Sequence, residues 1–146
     1  MTAIEPVDLL LVEDQPSDAE LALRALRALD LGSQIHHLEN GAEALNFVFG
    51  RDGYANRSVD EAPGLILLDL KLPKVSGHDV LRALKSDERT KNIPIIVLSS
   101  SGERTDVEQC YALGVNSYVV KPVDFTQFTE TVQRIGTYWL QTNEAL

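Results

Sequence analysis

Five residues in this chain could do chemistry together, and each directly follows an apolar run. Glu13 and Asp14 follow one run, Asp69 follows a second, Ser99 a third and Lys121 a fourth. Carboxylates that meet in one crevice repel one another, and a shared divalent cation would remove that cost. Mg²⁺ suits such a set because it prefers hard oxygen ligands, and Mn²⁺ is an acceptable substitute.

With a cation in place, Asp69 could act as a nucleophile toward phosphorus. Carboxylates form aspartyl phosphates in this way. Phosphoryl transfer needs mainly positioning and neutralisation of charge on the equatorial oxygens. The cation, the Lys121 ammonium and the Ser99 hydroxyl could supply that neutralisation. The residue types therefore predict a metal-dependent site that accepts a phosphoryl group on Asp69.

These residues share a site only if the elements that carry them end at one edge of a sheet. Strand-like apolar runs alternate with helical patterns. The predicted strands are 7–12, 35–38, 65–68, 95–98 and 117–120, and the predicted helices are 17–29, 41–49, 77–86, 103–113 and 125 to about 141. This alternation predicts an α/β fold, a doubly wound five-stranded parallel sheet with strand order 2-1-3-4-5. The candidate residues then meet at the carboxyl ends of strands 1, 3, 4 and 5.

Each candidate also has an ordinary structural explanation. A lone Asp at a strand end is usually a helix cap or a turn former. Glu13-Asp14 could simply lead into the first helix, residues 99–101 could be a loop with a cap, and Lys121 could be a solvated lysine. Each explanation is acceptable alone. All of them together would require a coincidence, because four separate strands would have to place suitable residue types at one edge of the sheet by chance.

Local signals add detail to the helices and loops. Ser17-Asp-Ala-Glu20 has the pattern of a capping box, and Gly32 is expected to close the first helix. Segment 50–64 is long for a loop in a compact domain and is either specialised or mobile. In the last helix, Phe125 and Phe128 are expected to pack on the sheet.

Composition narrows the classes of function. The chain has 146 residues, which fits one domain, and a formal net charge of −9. Its Lys and Arg residues are scattered, which argues against nucleic-acid binding. The apolar runs are too short to span a membrane, and the N-terminus lacks the pattern of a secretory signal. With Cys110 as its one cysteine, the chain is expected in the cytoplasm.

Other residue types give no site. His36, His37 and His78 are scattered, and zinc would need four convergent ligands. Cys110 lies mid-helix and is interpreted as a packed thiol. No glycine-rich nucleotide motif is present.

Four motifs, in this order and spacing, resemble the response-regulator receiver family: Leu-Leu-Val-Glu-Asp, Leu-Ile-Leu-Leu-Asp-Leu-Lys-Leu-Pro, Ile-Pro-Ile-Ile-Val-Leu-Ser-Ser and Tyr-Val-Val-Lys-Pro. The match covers about residues 6 to 135. It implies the flavodoxin-like receiver fold, with Asp69 as phosphoacceptor. It also implies that Mg²⁺ is bound by Glu13, Asp14, Asp69 and the Lys71 carbonyl, and that Ser99 and Lys121 contact the phosphoryl group. Tyr118 would change rotamer on activation, and the Lys121-Pro122 peptide bond would be cis.

A narrower likeness points to the small regulators paired with phytochrome-type histidine kinases. It rests on segment 50–64, on Gly-His-Asp-Val-Leu after Pro73 and on the extended last helix. It implies a sensor histidine kinase as phosphodonor and an unknown protein as downstream target. No output domain is expected to follow, so the output would be a protein contact at the surface of helix 4, strand 5 and helix 5, a phosphorelay step or a phosphate sink.

The last helix also suggests self-association. Tyr138, Trp139 and Leu140 are three adjacent large apolar residues that cannot all face one core, so we expect a homodimer through the C-terminal region. The competing expectation is that they fold back on segment 50–64 of the same chain.

Two other functions fit the same fold class. A Mg²⁺-dependent phosphohydrolase with an aspartyl-phosphate intermediate, resembling the haloacid dehalogenases, usually has a second acid two residues after the nucleophile, where this chain has Lys71. A flavodoxin-like FMN carrier needs a phosphate loop after the first strand, where the acidic Glu13-Asp14 would repel phosphate. The preferred function is a phosphoaccepting switch, which takes part only in its own phosphorylation and dephosphorylation and is not an enzyme.

Overall fold

The sheet has the predicted topology. A computed structural model describes residues 7–146, and residues 1–6, where the sequence shows no secretory signal, lie outside the described residues. All strands are parallel, in the order β2-β1-β3-β4-β5. The strands are β1 (Leu9–Val12), β2 (Ile35–Leu38), β3 (Leu65–Leu68), β4 (Ile95–Ser99) and β5 (Ser117–Val120).

Five helices cover the two faces of the sheet. They are α1 (Pro16–Ala28), α2 (Gly41–Phe49), α3 (Gly77–Ser86), α4 (Arg104–Leu113) and α5 (Phe125–Thr137). Segment 50–64 contains two short 3-10 turns, Asp52–Tyr54 and Val59–Glu61, so it is a structured connection. Among residues 7–146, no helix is both long and apolar enough to cross a membrane.

The core lies in two layers because side chains alternate along each strand. Strands β1, β3 and β4 are buried along their whole length. Their alternate residues pack under α2, α3 and α4 in one cluster and under α1 and α5 in the other. Cys110 belongs to the first cluster, and burial raises its pKa to about 11, so it is the packed thiol that its position predicted.

The ends of α1 differ from the prediction. The helix begins at Pro16, and Gln15 is its N-cap without a side-chain capping bond. The predicted capping box was therefore wrong. Proline's fixed φ suits the first helical position, so the helix begins at Pro16 and Ser17 lies inside it. Asp30 takes a left-handed φ of 50° soon after the helix ends at Ala28, so the chain turns before it reaches Gly32.

The C-terminal residues divide between core and solvent. A π-helical turn, Tyr138–Thr142, follows α5, and Trp139 and Leu140 in it pack against the α1 and α5 cluster while Tyr138 is 49% exposed. The alternative prediction, that these residues fold back on segment 50–64, was wrong, because Tyr54 of that segment packs on the opposite face of the sheet. At the start of α5, Phe128 is buried as predicted, but Phe125 is 73% exposed.

Candidate functional site

The three candidate acids come together at the carboxyl ends of β1 and β3. These strands are neighbours in register, and the Asp69 N–H donates to the Val12 carbonyl at 3.1 Å, which continues the ladder one residue past the end of β3. One carboxylate oxygen from each of Glu13, Asp14 and Asp69 lies within 4.8 Å of the others. Glu13 and Asp69 are buried, and Asp14 is half-buried. The convergence predicted from the sheet order is confirmed.

This cluster fits a divalent cation. Asp14 Oδ1 is shielded from solvent and has no hydrogen-bond partner among the described residues. Burial and the negative charge of Asp69 raise the pKa of Glu13 to about 7, despite a hydrogen bond from Lys121. Three close carboxylate oxygens form the hard donor set that Mg²⁺ or Mn²⁺ prefers, and the unpartnered Asp14 oxygen is consistent with a role as a metal ligand. The cluster could therefore hold such an ion, which would neutralise the surplus negative charge.

Lys121, at the end of β5, reaches across the sheet edge to the acids. Its Nζ donates to Glu13 Oε1 at 2.5 Å, to Asp18 Oδ2 at 2.9 Å and to Asp69 Oδ2 at 3.2 Å. Burial alone would lower the pKa of Lys121, but the hydrogen bonds to Glu13 and Asp18 outweigh it and raise the pKa above its usual value. The lysine is therefore a buried, charged group at the site.

The hydroxyl and aromatic candidates meet at the loop after β4. Ser99 is buried, and its Oγ accepts from the Ser101 N–H at 3.2 Å. Tyr118, half-buried on β5, donates from its hydroxyl to the Ser101 carbonyl at 2.6 Å. Both side chains therefore contact Ser101.

One expected feature of the lysine segment was wrong. Every peptide bond among the described residues is trans, including Lys121-Pro122. The trans form is the intrinsically favoured one for a bond before proline. It is compatible here with a Lys121 N–H that donates to the Ser99 carbonyl at 2.8 Å.

Sequence reasoning missed two residues at the site. Asp18, in the first turn of α1, contacts Lys121, and an Asp four positions after Asp14 was the available signal. Gly77 is the other, because a Cβ placed on it would lie 2.2 Å from the Asp69 backbone oxygen. Its signal was a glycine at a helix start, directly after the capping Ser76, whose hydroxyl accepts from Asp79 N–H.

The family follows from comparison with known proteins. Residues 9–133 match the model of the response regulator receiver domain. The chain belongs to this family. Receiver domains act as phosphoaccepting switches. The chain is 39% identical over 145 residues to the probable methanogenesis regulatory protein FilR2 of Methanothrix harundinacea, covering 99% of this chain and 91% of the relative. It is 36% identical to response regulator Rcp1 of Synechocystis sp., covering 94% of this chain and 91% of Rcp1.

Solved receiver structures show the same fold. The phosphorylated cyanobacterial phytochrome response regulator RcpA is 36% identical, with a TM-score of 0.90 over 97% of this chain and 99% of RcpA. The Mn²⁺-bound form of Rcp1 is 35% identical, with a TM-score of 0.90 over the same shares of the two chains. The relatives thus include phytochrome-linked regulators and a metal-bound receiver.

The metal assignment predicts the effect of Asp14→Ala in this receiver domain. Loss of one carboxylate ligand should weaken Mg²⁺ binding at least about tenfold, because close charge contacts dominate a site with few protein ligands. Calorimetric titration with Mg²⁺ measures this. Asp60→Ala, in the exposed part of segment 50–64, removes one charge far from the cluster and should bind Mg²⁺ as the wild type does. Unchanged affinity in Asp14→Ala would show that the acids serve another purpose.

Proposed function

We propose that the chain is a single-domain response regulator that accepts a phosphoryl group on Asp69 in a Mg²⁺-dependent reaction. The observation that carries this proposal is the meeting of three acids with the Lys121 ammonium, which lies 3.2 Å from Asp69 Oδ2. The likeness to RcpA and Rcp1 supports a stand-alone receiver, since those proteins are matched over almost their whole length.

The residues would divide the chemistry as follows. Glu13, Asp14, Asp69 and the Lys71 carbonyl would hold the cation, which neutralises charge on the phosphoryl oxygens when bound. The Asp69 carboxylate forms the new O–P bond as the donor's P–N bond breaks, and the electron pair of that bond stays on the donor's histidine nitrogen. Lys121 donates to a phosphoryl oxygen.

The signal would travel from the phosphoryl group to the surface. The Ser99 hydroxyl would turn toward the phosphoryl oxygens and draw the Ser101 loop with it. In this structure Tyr118 donates a hydrogen bond to the Ser101 carbonyl. On phosphorylation its side chain would change rotamer and occupy the space that the Ser99 hydroxyl and its loop vacate. This repacks the surface of α4, β5 and α5, where Tyr111 is 51%, Val123 99% and Phe125 73% exposed. Exposed apolar side chains of this kind suit a protein partner.

The phosphodonor in this proposal is a sensor histidine kinase of the phytochrome type. Its support is the group of phytochrome-linked regulators among the similar structures, including the bacteriophytochrome response regulator AtBRR at 42% identity. Such kinases draw on ATP, which places the exchange in the cytoplasm. The downstream protein is a separate partner that reads the switched surface.

Intact mass spectrometry tests phosphoacceptance directly. Incubation with acetyl phosphate and Mg²⁺ should add the mass of one phosphoryl group, and removal of Mg²⁺ with EDTA should prevent the gain. No gain from acetyl phosphate or from a phosphorylated histidine kinase would contradict the proposal.

The proposal includes a homodimer through the C-terminal region. Tyr138 is half-exposed and lines an open groove with Leu29, Arg134 and Thr142, beside the packed Trp139. A two-fold interface would pair this patch with its own copy, and tyrosine is a frequent anchor of such contacts. A dimeric receiver also matches a histidine kinase that is itself dimeric.

The dimer predicts a specific effect of Tyr138→Glu. A carboxylate buried at the interface should weaken the dimer at least about tenfold without unfolding the chain, because Tyr138 is not a core residue. Light scattering at micromolar concentration should show a dimer for the wild type and a monomer for the variant. Tyr111→Glu is the matched control, since Tyr111 is equally exposed but lies on α4. A monomeric wild type, with or without phosphorylation, would contradict the dimer.

A further inference from the structure

Lys121 has an acidic partner that stands apart from the candidate metal ligands. We propose that Asp18 is a positioning residue, which holds the Lys121 ammonium in place to receive the phosphoryl group on Asp69. The inference rests on the proposed function, and it assigns a role to a residue outside the four receiver motifs in the sequence.

The geometry of the ammonium carries the proposal. A lysine has three N–H donors, and Lys121 Nζ lies within hydrogen-bond distance of three carboxylates. The contact to Asp18 Oδ2, at 2.9 Å, is shorter than the contact to Asp69 Oδ2, at 3.2 Å. The Lys121 side chain is 7% exposed and that of Asp18 33% exposed, so Asp18 is the partner of this pair that faces solvent. Asp18 is thus one of the contacts that fix where the ammonium lies.

Asp18 differs from the other two partners in what phosphorylation does to it. Glu13 and Asp69 belong to the cluster of acids that could share a cation, and Asp69 itself becomes phosphorylated. Asp18 is not a member of that cluster. Of the three carboxylates that Lys121 contacts, Asp18 is therefore the one that would neither share the cation nor accept the phosphoryl group, so its contact to Lys121 can persist through the reaction.

The start of α1 explains how Asp18 reaches the site. Pro16 begins the helix two residues after Asp14, and the contact from Asp18 to Lys121 places the first turn beside the acids. Gln15 makes no side-chain capping bond, and Asp18 is the acid of this turn. A carboxylate is favoured there because the N-terminal end of a helix carries partial positive charge. The first turn of α1 thus brings a third carboxylate, beside those of Glu13 and Asp69, to the lysine.

Fixing the lysine in advance has an energetic consequence. Lysine loses much rotamer freedom when its ammonium is held in one place. With Asp18 present, part of that loss is already incurred before the phosphoryl group arrives. Without Asp18, one of the three contacts that hold the ammonium is missing, so the incoming group must order Lys121 further and should bind more weakly.

The test uses beryllofluoride, a non-covalent mimic of the phosphoryl group, titrated into the full chain at saturating Mg²⁺. Asp18→Ala should bind beryllofluoride about tenfold more weakly than the wild type, the size expected for loss of one partly exposed charge-assisted hydrogen bond. Its Mg²⁺ affinity should stay within about twofold, because Asp18 lies outside the acid cluster. Asp18→Asn, which keeps an acceptor oxygen, should recover part of the loss.

Two further variants make the result specific. Glu20→Gln removes one negative charge from the same helix at a residue that pairs with Arg24, and should bind beryllofluoride as the wild type does. In a Lys121→Ala background, Asp18→Ala should have no additional effect, since the two residues act as one unit.

Equal or tighter beryllofluoride binding by Asp18→Ala would overturn the positioning role, as would full additivity with Lys121→Ala. Failure of the wild type itself to bind beryllofluoride with Mg²⁺ would instead contradict the proposed function.

Discussion

Asp69→Asn is expected to abolish phosphorylation while leaving the fold intact. The amide lacks the carboxylate's nucleophilic oxygen, so phosphorylation by acetyl phosphate should fall at least about 10³-fold, below detection by intact mass. The fold should tolerate the change, because the Asn side-chain oxygen can still accept from the Leu70 N–H that now donates to Asp69 Oδ1 at 2.7 Å. Removal of one charge from a repelling cluster also favours the folded protein in the absence of metal.

Asp60→Asn is the matched control for this experiment. It makes the same chemical change at an exposed acid in segment 50–64 and should gain one phosphoryl group at the wild-type rate. Circular dichroism and thermal unfolding would verify that Asp69→Asn is folded. A full phosphoryl mass gain on folded Asp69→Asn would assign the acceptor to another residue.

The strands were predictable because burial leaves a direct trace in the sequence. A strand covered on both faces must be apolar at nearly every position, and 65–68 has this pattern and these bounds in the structure. The strand order then followed from the rules for parallel crossovers, and it brought the strand ends together. Helix starts were less certain, since Pro16 and Ser17 are both start signals and only the three-dimensional chain path decides between them.

The candidate site was predictable where each residue directly follows a strand. Glu13, Asp14 and Asp69 needed only the strand order to be placed together. Asp18 needed more, because its contact depends on where the first turn of α1 lies over the cleft and on how far Lys121 extends from β5. Such a contact joins residues 103 positions apart and has no local pattern.

The C-terminal segment is a second place where the sequence alone could not predict the side-chain contacts. The sequence established that adjacent Tyr138, Trp139 and Leu140 could not share one direction. It could not establish which of them faces the core, because the π-helical turn after α5 changes the angular spacing of the side chains. The widened turn leaves Trp139 and Leu140 against the second core cluster and Tyr138 outside.

Gly77→Ala is expected to impair both stability and phosphorylation. A Cβ at Gly77 would lie 2.2 Å from the Asp69 backbone oxygen and 2.6 Å from the Leu70 Cα. Both neighbours are backbone atoms at the end of a buried strand, so they cannot move aside as a flexible side chain would. Overpacking of this kind typically costs about 1–3 kcal/mol, and we expect the upper end. Unfolding in urea, with the shift in midpoint multiplied by the slope, measures it.

The same substitution should displace the phosphoacceptor. The Gly77 N–H donates to the Leu70 carbonyl at 2.8 Å, which ties the start of α3 to the residue after Asp69. If α3 shifts to relieve the clash, the backbone beside Asp69 shifts with it, and the Asp69 oxygens move relative to Lys121. Phosphorylation by acetyl phosphate should then be slower even in the folded fraction, measured well below the unfolding midpoint.

Gly53→Ala separates this steric effect from the general effect of replacing a glycine. No atom lies within 4 Å of a Cβ placed at Gly53, and neither glycine has a left-handed φ. The control should therefore be neutral or more stable by up to about 1 kcal/mol, through the lower entropy of the unfolded chain. If Gly77→Ala matches Gly53→Ala in stability and phosphorylates at the wild-type rate, α3 does not pack against the Asp69 backbone as closely as the structure places it.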